Sequence, residues 1–158
     1  MAKLTKEELG SIIMDNKNMF YHVAKSILPN DSDCSDAISE MIVKGYDKLD
    51  KLKDKSSVKA WLVRILINEC YNILRLPQTT DIPENLYSEQ KEEYGYLYAA
   101  LYELPDKLRT AMVLYYMEGY QISEIAVMLS CTQSAVKNRL LRARKLMKEK
   151  LKEDEKYA

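Results

Sequence analysis

The chain is predicted to be all-α, with two small helical domains joined by a flexible linker. Three observations predict this. Glycine and proline are scarce, four of each in 158 residues, while Leu, Ile, Met, Ala, Lys and Glu are common, a composition that favours helices. Apolar residues recur three and four positions apart along most of the chain, and no stretch of any length alternates as a strand does. The helical periodicity lapses around Pro77 and Pro83, among polar residues, which marks a linker. The boundaries read as a first domain over 1–75, a linker over 76–88, a second domain over 89–152 and a charged tail over 153–158. Each domain is long enough for a modest core.

The elements follow in order. Thr5 with Glu8 three residues on is a capping box and opens a helix that runs to about Leu28. Leu9, Ile12, Ile13, Phe20, Val23, Ala24 and Ile27 form its apolar face, and Pro29 and Asn30 end it. A second helix starts near Ser32 or Asp33 and carries Ala37, Ile38, Met41, Ile42 and Tyr46 inward. DKLDKLKDKSS is a charged loop. Ser57 caps a third helix, VKAWLVRILINECYNILR, apolar on most sides and therefore central to its domain. A fourth helix is expected over 89–103. Pro105 and Asp106 open a fifth, which ends at Gly119.

Glu124 to Arg144, EIAVMLSCTQSAVKNRLLRAR, then holds two short helices about a tight break at Ser130, Cys131 and Thr132. Ile125, Ala126 and Leu129 face inward on the first, and Ala135, Val136, Leu140 and Ala143 on the second. The other side of the second carries Lys137, Asn138, Arg139, Arg142 and Arg144. Two helices at a sharp angle, the second basic, are what a helix-turn-helix needs to enter a DNA major groove. Arg and Lys neutralise phosphates, and Arg, Lys and Asn bond base edges. Taken alone, the segment also reads as a solvated charged face on a terminal helix.

Charge agrees with an anionic partner. The net charge is zero, but residues 132–152 hold eight Lys/Arg against one Glu, and residues 76–104 one Lys against six Asp/Glu. Cys34, Cys70 and Cys131 are odd in number and widely spaced, so they read as reduced thiols and not as a disulfide framework or zinc site. The start, MAKLTKEELG, has no secretory apolar core, and no apolar run reaches membrane-spanning length. The expectation is a soluble, cytoplasmic protein. Catalysis has little to stand on. His22 is the one histidine, there is no phosphate-cradling glycine loop, and Asp31, Asp33 and Asp36 suit helix capping better than a metal. No catalytic residue, metal or cofactor is expected.

The third helix carries a second constellation. Trp61, Arg64, Asn68, Asn72 and Arg75 follow one another at spacings of three or four and lie along one stripe. An aromatic, two amides and two guanidiniums in line suit single-stranded nucleic acid, which stacks on rings and is read by amides. A lone Trp is more often core. Asn68, in so apolar a helix, bonds either neighbouring backbone or something outside the protein.

The order of these motifs resembles the sigma-70 family of bacterial RNA polymerase sigma factors, in its small two-domain extracytoplasmic-function form. SDAISEMIVKGYDKL resembles region 2.2. SSVKAWLVRILINECYNILR resembles regions 2.3 and 2.4, with Trp61, Leu62, Arg64, Ile65 and Asn68 in register. LYELPDKLRTAMVLYYMEGYQISEIAVMLSCTQSAVKNRLLRAR resembles region 4, through its LP-x-x-x-R start, Glu-Gly turn, EIA and basic run. The likeness spans about residues 17–150. It implies a sigma factor that directs RNA polymerase core enzyme to promoters, with the β′ clamp helices and β flap of the polymerase and promoter DNA as partners. It also allows an anti-sigma protein. It implies that Asp36, Glu40, Met41, Lys44 and Tyr46 meet the clamp. It implies that Trp61, Arg64, Asn68, Asn72 and Arg75 open the −10 element, Asn68 capturing a flipped base. And it implies that Thr132, Ser134, Lys137, Asn138, Arg139, Leu141, Arg142 and Arg144 serve the −35 element. The chain departs from the pattern at Gln121, where Ser is usual as a helix cap, at Ser130, where Gly is usual, and at Ser134-Ala135, where Gly-Thr is usual. The alternative is a helix-turn-helix regulator acting on duplex DNA without polymerase, which leaves the Trp61–Asn72 stripe without a purpose. A third reading, a degenerate interaction module, is opposed by the intact basic run.

Overall fold

Helix α1 (Lys6–Asp15) starts on the capping box: Thr5 Oγ1 accepts from the Glu8 amide at 3.1 Å, and the Glu8 carboxylate accepts from the Thr5 amide at 3.3 Å. These interactions belong to a computed structural model in which residues 3–76 and 99–157 are described, with side chains as far as residue 152. The first helix does not run on to Leu28. It breaks at Asn16, whose side-chain amide donates to the Ile12 carbonyl at 2.7 Å, and α2 (Lys17–Lys25) restarts beyond it. An Asn side chain that competes for a backbone carbonyl is a helix interrupter, which apolar spacing alone does not reveal.

Helix α3 (Asp31–Asp47) starts slightly earlier than its pattern suggests, because the cap is Asn30, whose Oδ1 accepts from the Ser32 amide at 2.8 Å. The charged loop that follows holds two 3₁₀ turns, Leu49–Lys51 and Lys55–Ser57. Helix α4 (Val58–Leu74) then crosses the centre. Ser57 does not cap it through its side chain, which instead donates to the Asp54 carbonyl at 2.8 Å. Leu62, Val63, Leu66, Ile67 and Cys70 are buried, each large apolar side chain contributing about 2 kcal/mol by leaving water.

In the second half, residues 99–103 are helical (α5). The linker beyond Leu76 and the first part of the expected fourth helix lie outside the described residues. Helix α6 (Asp106–Met112) passes into a π turn, Val113–Met117, in which the Glu118 amide reaches back to the Val113 carbonyl at 3.1 Å. Gly119, at φ +72°, supplies the left-handed residue that ends it. Helices α7 (Ile122–Met128) and α8 (Gln133–Tyr157) complete the chain.

The two halves share a core. The cluster built on Leu9, Phe20, Val23, Met41, Leu62 and Leu66 continues without a break into Ala111, Leu114, Ile125, Val136 and Leu140. A smaller cluster, Ala100, Leu104, Leu108, Ala143 and Met147, fastens α8 to α5 and α6. Polar groups seal the joint. Arg109 donates to the Ser26 carbonyl at 2.8 Å and, within its own half, to the Leu104 and Tyr102 carbonyls at 2.7 and 3.1 Å. The Ser26 and Thr110 hydroxyls lie 2.9 Å apart, both buried. His22 Nδ1 meets the Glu118 carboxylate at 2.7 Å. Separation of the halves would leave these groups to water.

Candidate nucleic-acid interface

The stripe on α4 lies where the spacing put it. Arg64, Asn68, Asn72 and Arg75 are exposed, and Trp61 is half-buried against the core. Asn68 is therefore not a buried structural amide. The opposite face of α4 carries the apolar residues that bury it, so the helix holds five nucleic-acid-type side chains on a rigid support. Arg75 Nη1 donates to Asn72 Oδ1 at 3.3 Å, which ties the end of the stripe together.

In the helix-turn-helix, Glu124 accepts from the Gln121 amide at 3.1 Å, so the Glu at the third helical position serves where the usual Ser is missing. Ser130 keeps the turn that glycine usually makes, at φ +55°. An L side chain there is strained by about 1 kcal/mol. Ser130→Gly is accordingly expected to raise stability by about 0.5–1 kcal/mol, read as a shifted urea midpoint with an unchanged slope. An unchanged or lower midpoint would show that the turn carries no strain. Thr132 Oγ1 accepts from the Ala135 amide at 3.0 Å, so the cap of α8 survives the departure at Ser134-Ala135. The Thr132 hydroxyl is engaged as an acceptor, with its own proton left to donate.

Along α8, at about 100° per residue, the side chains sort into four directions. Val136, Leu140, Ala143 and Met147 are buried. Asn138, Leu141 and Arg142 point the opposite way and are exposed, Leu141 to 62%. Lys137 and Arg144 share one flank, and Arg139 lies on the other. Arg144 donates from Nε to the Tyr116 hydroxyl at 2.6 Å. Arg139 is half-buried, and its charge reaches α4, where it opposes the burial and the Asp106 carboxylate that together push the Tyr71 hydroxyl up to about 12. One flank of the helix is thus turned toward the first domain.

On α3, Asp36 and Glu40 are exposed. Met41 is a correction: about 100° round the helix from Glu40, it is fully buried in the core and presents nothing to a partner. Lys44 is paired with the Glu69 carboxylate of α4, which holds its ammonium pKa above the usual range. Tyr46 is half-buried, and its hydroxyl lies where a Cβ on Gly10 would come within 2.9 Å. Sequence reasoning missed Val43, 55% exposed between Glu40 and Asp47. A β-branched apolar residue on an otherwise polar helix face was the available signal. It also missed Tyr116, which no helical pattern connects to α8. Among the described residues no group of His, Cys, Asp and Glu could hold a metal, and no helix is long and apolar enough to cross a membrane.

A helix-turn-helix beside a second helix with an exposed aromatic–amide–guanidinium stripe is an arrangement of the kind found in proteins that bind nucleic acid. Residues 12–78 match the sequence profile of Sigma-70 region 2, and residues 94–147 that of Sigma-70, region 4. The RNA polymerase sigma factor SigV of Bacillus subtilis is 32% identical over 158 aligned residues, covering 95% of each chain. The ECF RNA polymerase sigma-E factor of Escherichia coli K12 is 29% identical, over 75% of this chain and 74% of that one. Among solved structures, the sigma factor RpoE of Bartonella quintana, in complex with the anti-sigma factor NepR, has a similar fold, with a TM-score of 0.74 at 23% identity over 92% of this chain and 98% of that one. CnrH in complex with the cytosolic domain of CnrY is similar too, with a TM-score of 0.73 at 22% identity over 95% of this chain and 91% of that one. The chain belongs to the sigma-70 family of RNA polymerase sigma factors, in its extracytoplasmic-function group. It directs RNA polymerase core enzyme to promoter DNA. A regulator acting without polymerase is not favoured, since the region 2 match takes in the whole α4 stripe.

Proposed function

We propose that the two constellations divide promoter recognition between them, α8 reading the −35 element as duplex and α4 holding the −10 element once its strands part. The observation that carries this is the exposure of Arg64, Asn68, Asn72 and Arg75 in one line on the most deeply packed helix. Trp61 and Arg64 offer flat surfaces to unstacked bases, and Asn68 and Asn72 offer amides to their edges. On α8, Lys137, Asn138 and Arg142 bond base edges, and exposed Leu141 suits the methyl group of a thymine. Arg139 and Arg144, on opposite flanks, suit phosphates on the two walls of the groove, with Thr132 and Ser134 at its entrance. Asp36, Glu40, Lys44 and Tyr46 form the polymerase-facing side of α3, with Val43 at its centre. The chain itself does no chemistry; like sigma factors generally it acts through the polymerase, and so in the cytoplasm. An anti-sigma protein, of the kind that holds RpoE and CnrH in their complexes, is a further proposed partner.

The joint between the halves governs when this happens. Positions −35 and −10 are about 25 base pairs apart, or about 85 Å of duplex at 3.4 Å per step. A compact chain of this length has a radius of gyration of about 15 Å. The closed molecule cannot meet both elements, and its Arg139 flank is turned toward α4 where a groove wall must lie. The halves therefore part on the polymerase, and the free protein binds duplex promoters poorly.

The test is run-off transcription by core polymerase with this protein on a library randomised at the −35 element. Lys137→Ala and Asn138→Ala are each expected to cost about 1–3 kcal/mol and to relax preference at one base position. Arg139→Ala is expected to weaken all sequences alike and to lower the salt slope by about one. Uniform effects from all three, with base preference intact, would mean that α8 does not read sequence.

A further inference from the structure

We propose that Tyr116 is a positioning residue for DNA binding, one that aims the Arg144 guanidinium at the phosphate backbone. The proposal rests on the reading of α8 as the DNA-entering helix. Arg144 stands on an exposed flank of α8, two turns beyond Lys137 and on the same side. A free arginine there would sample many rotamers and lose that freedom on binding. This one is held. Its Nε donates to the Tyr116 hydroxyl at 2.6 Å, and its guanidinium carbon sits 5.6 Å from the Tyr116 ring centre and 6.0 Å from that of Tyr115. The two rings meet edge to face, 79° apart at 4.9 Å, so each limits the motion of the other.

The bond takes Nε. The two terminal amino groups have no other partner among the described residues. Those groups are the fork that grips a phosphate with two parallel hydrogen bonds. A tyrosine hydroxyl on Nε fixes the plane of the fork without occupying it. The π turn Val113–Met117 makes this possible. The wider turn changes the angular spacing of the side chains within it, and here adjacent Tyr115 and Tyr116 both reach the same guanidinium. Tyr116 is 55% exposed, more than an aromatic kept only for packing. Its place, 28 residues before Arg144, is one that no helical spacing connects.

The experiment is a double-mutant cycle on the protein assembled with core polymerase, with −35 duplex affinity measured at several salt concentrations. Tyr116→Phe removes only the hydroxyl and is expected to weaken binding about three- to ten-fold, equally for all −35 sequences. Arg144→Ala is expected to weaken it further and to lower the salt slope by about one. In the Arg144→Ala background, Tyr116→Phe is expected to change nothing, because the group it positions is gone. Arg144→Lys keeps the charge and loses the fork; it should recover the salt slope and leave the affinity low.

Three outcomes would overturn the proposal. One is a full loss from Tyr116→Phe in the Arg144→Ala background, which would make the hydroxyl itself the phosphate ligand. Another is a lowered melting temperature for Tyr116→Phe alone, which would make its role structural. The third is an unchanged affinity for the single variant. Lys137→Ala and Asn138→Ala, run alongside, keep the underlying reading separate: if they change base preference while the cycle shows no coupling, α8 reads DNA and Tyr116 does not assist it.

Discussion

A disulfide placed across the joint between the halves is expected to stop promoter-dependent transcription while making the protein more stable. The Ser26 and Thr110 hydroxyls are 2.9 Å apart, so cysteines in their places put two sulfurs within reach of a bond of about 2.05 Å. Ser26→Cys with Thr110→Cys, in a Cys131→Ser background, then gives a switchable lock. The two other native thiols do not interfere. Cys34 and Cys70 are buried, and burial pushes each up to about 12, which keeps both as unreactive thiols. Closing the loop between residues 26 and 110, which are 84 positions apart, is expected to add about 4 kcal/mol to the stability of the oxidised form. The same bond denies simultaneous engagement of elements about 85 Å apart. Loss of the second contact is expected to cut open-complex formation by roughly a hundred-fold or more. Reduction with dithiothreitol should restore run-off transcription to the level of the parent. An oxidised protein that transcribes as well as its reduced form would show that the halves stay joined on the promoter, and the account of opening would fail.

Asn68→Ala is expected to give the largest loss among single substitutions in the α4 stripe. A flipped base held by one amide loses its bonds, which should lower open-complex formation about ten- to a hundred-fold, or about 1–3 kcal/mol. Stability should move the other way. Asn68 is exposed, so its removal leaves no cavity, and Ala is the better helix former by about 0.5 kcal/mol. Binding to core polymerase should be unchanged, since the α3 face is untouched. Permanganate footprinting of the −10 element, beside a thermal melt of the protein, separates the possibilities. A footprint of parental strength would remove Asn68 from base capture. A melting temperature several degrees lower would return it to a structural role.

Much of this molecule was legible from local pattern, because helices are local objects. The capping box at Thr5 and Glu8, the apolar periods of α3, α4, α7 and α8, and the stripe from Trp61 to Arg75 all follow from 3.6-residue repetition and a few hydrogen-bonding side chains. The exposed polar faces of α4 and α8 therefore follow from residue spacing alone. Pattern failed where a side chain bonded its own backbone, as Asn16 does at the break between α1 and α2, and as Ser57 does in turning to Asp54. It failed again at Met41, where one position around the helix decides between partner and core. What only the tertiary structure decided is how distant segments meet. The closure of the halves through Arg109, Ser26 and Thr110, the pairing of His22 with Glu118, and the seat of Arg144 on Tyr116 each join residues with no shared period. Each rests on three-dimensional proximity that chain order does not encode locally. Those contacts set the protein's closed form and the seat of the Arg144 guanidinium, while the sequence alone determined most of the helices and which of their faces stay polar and exposed, because both follow from local periodicity.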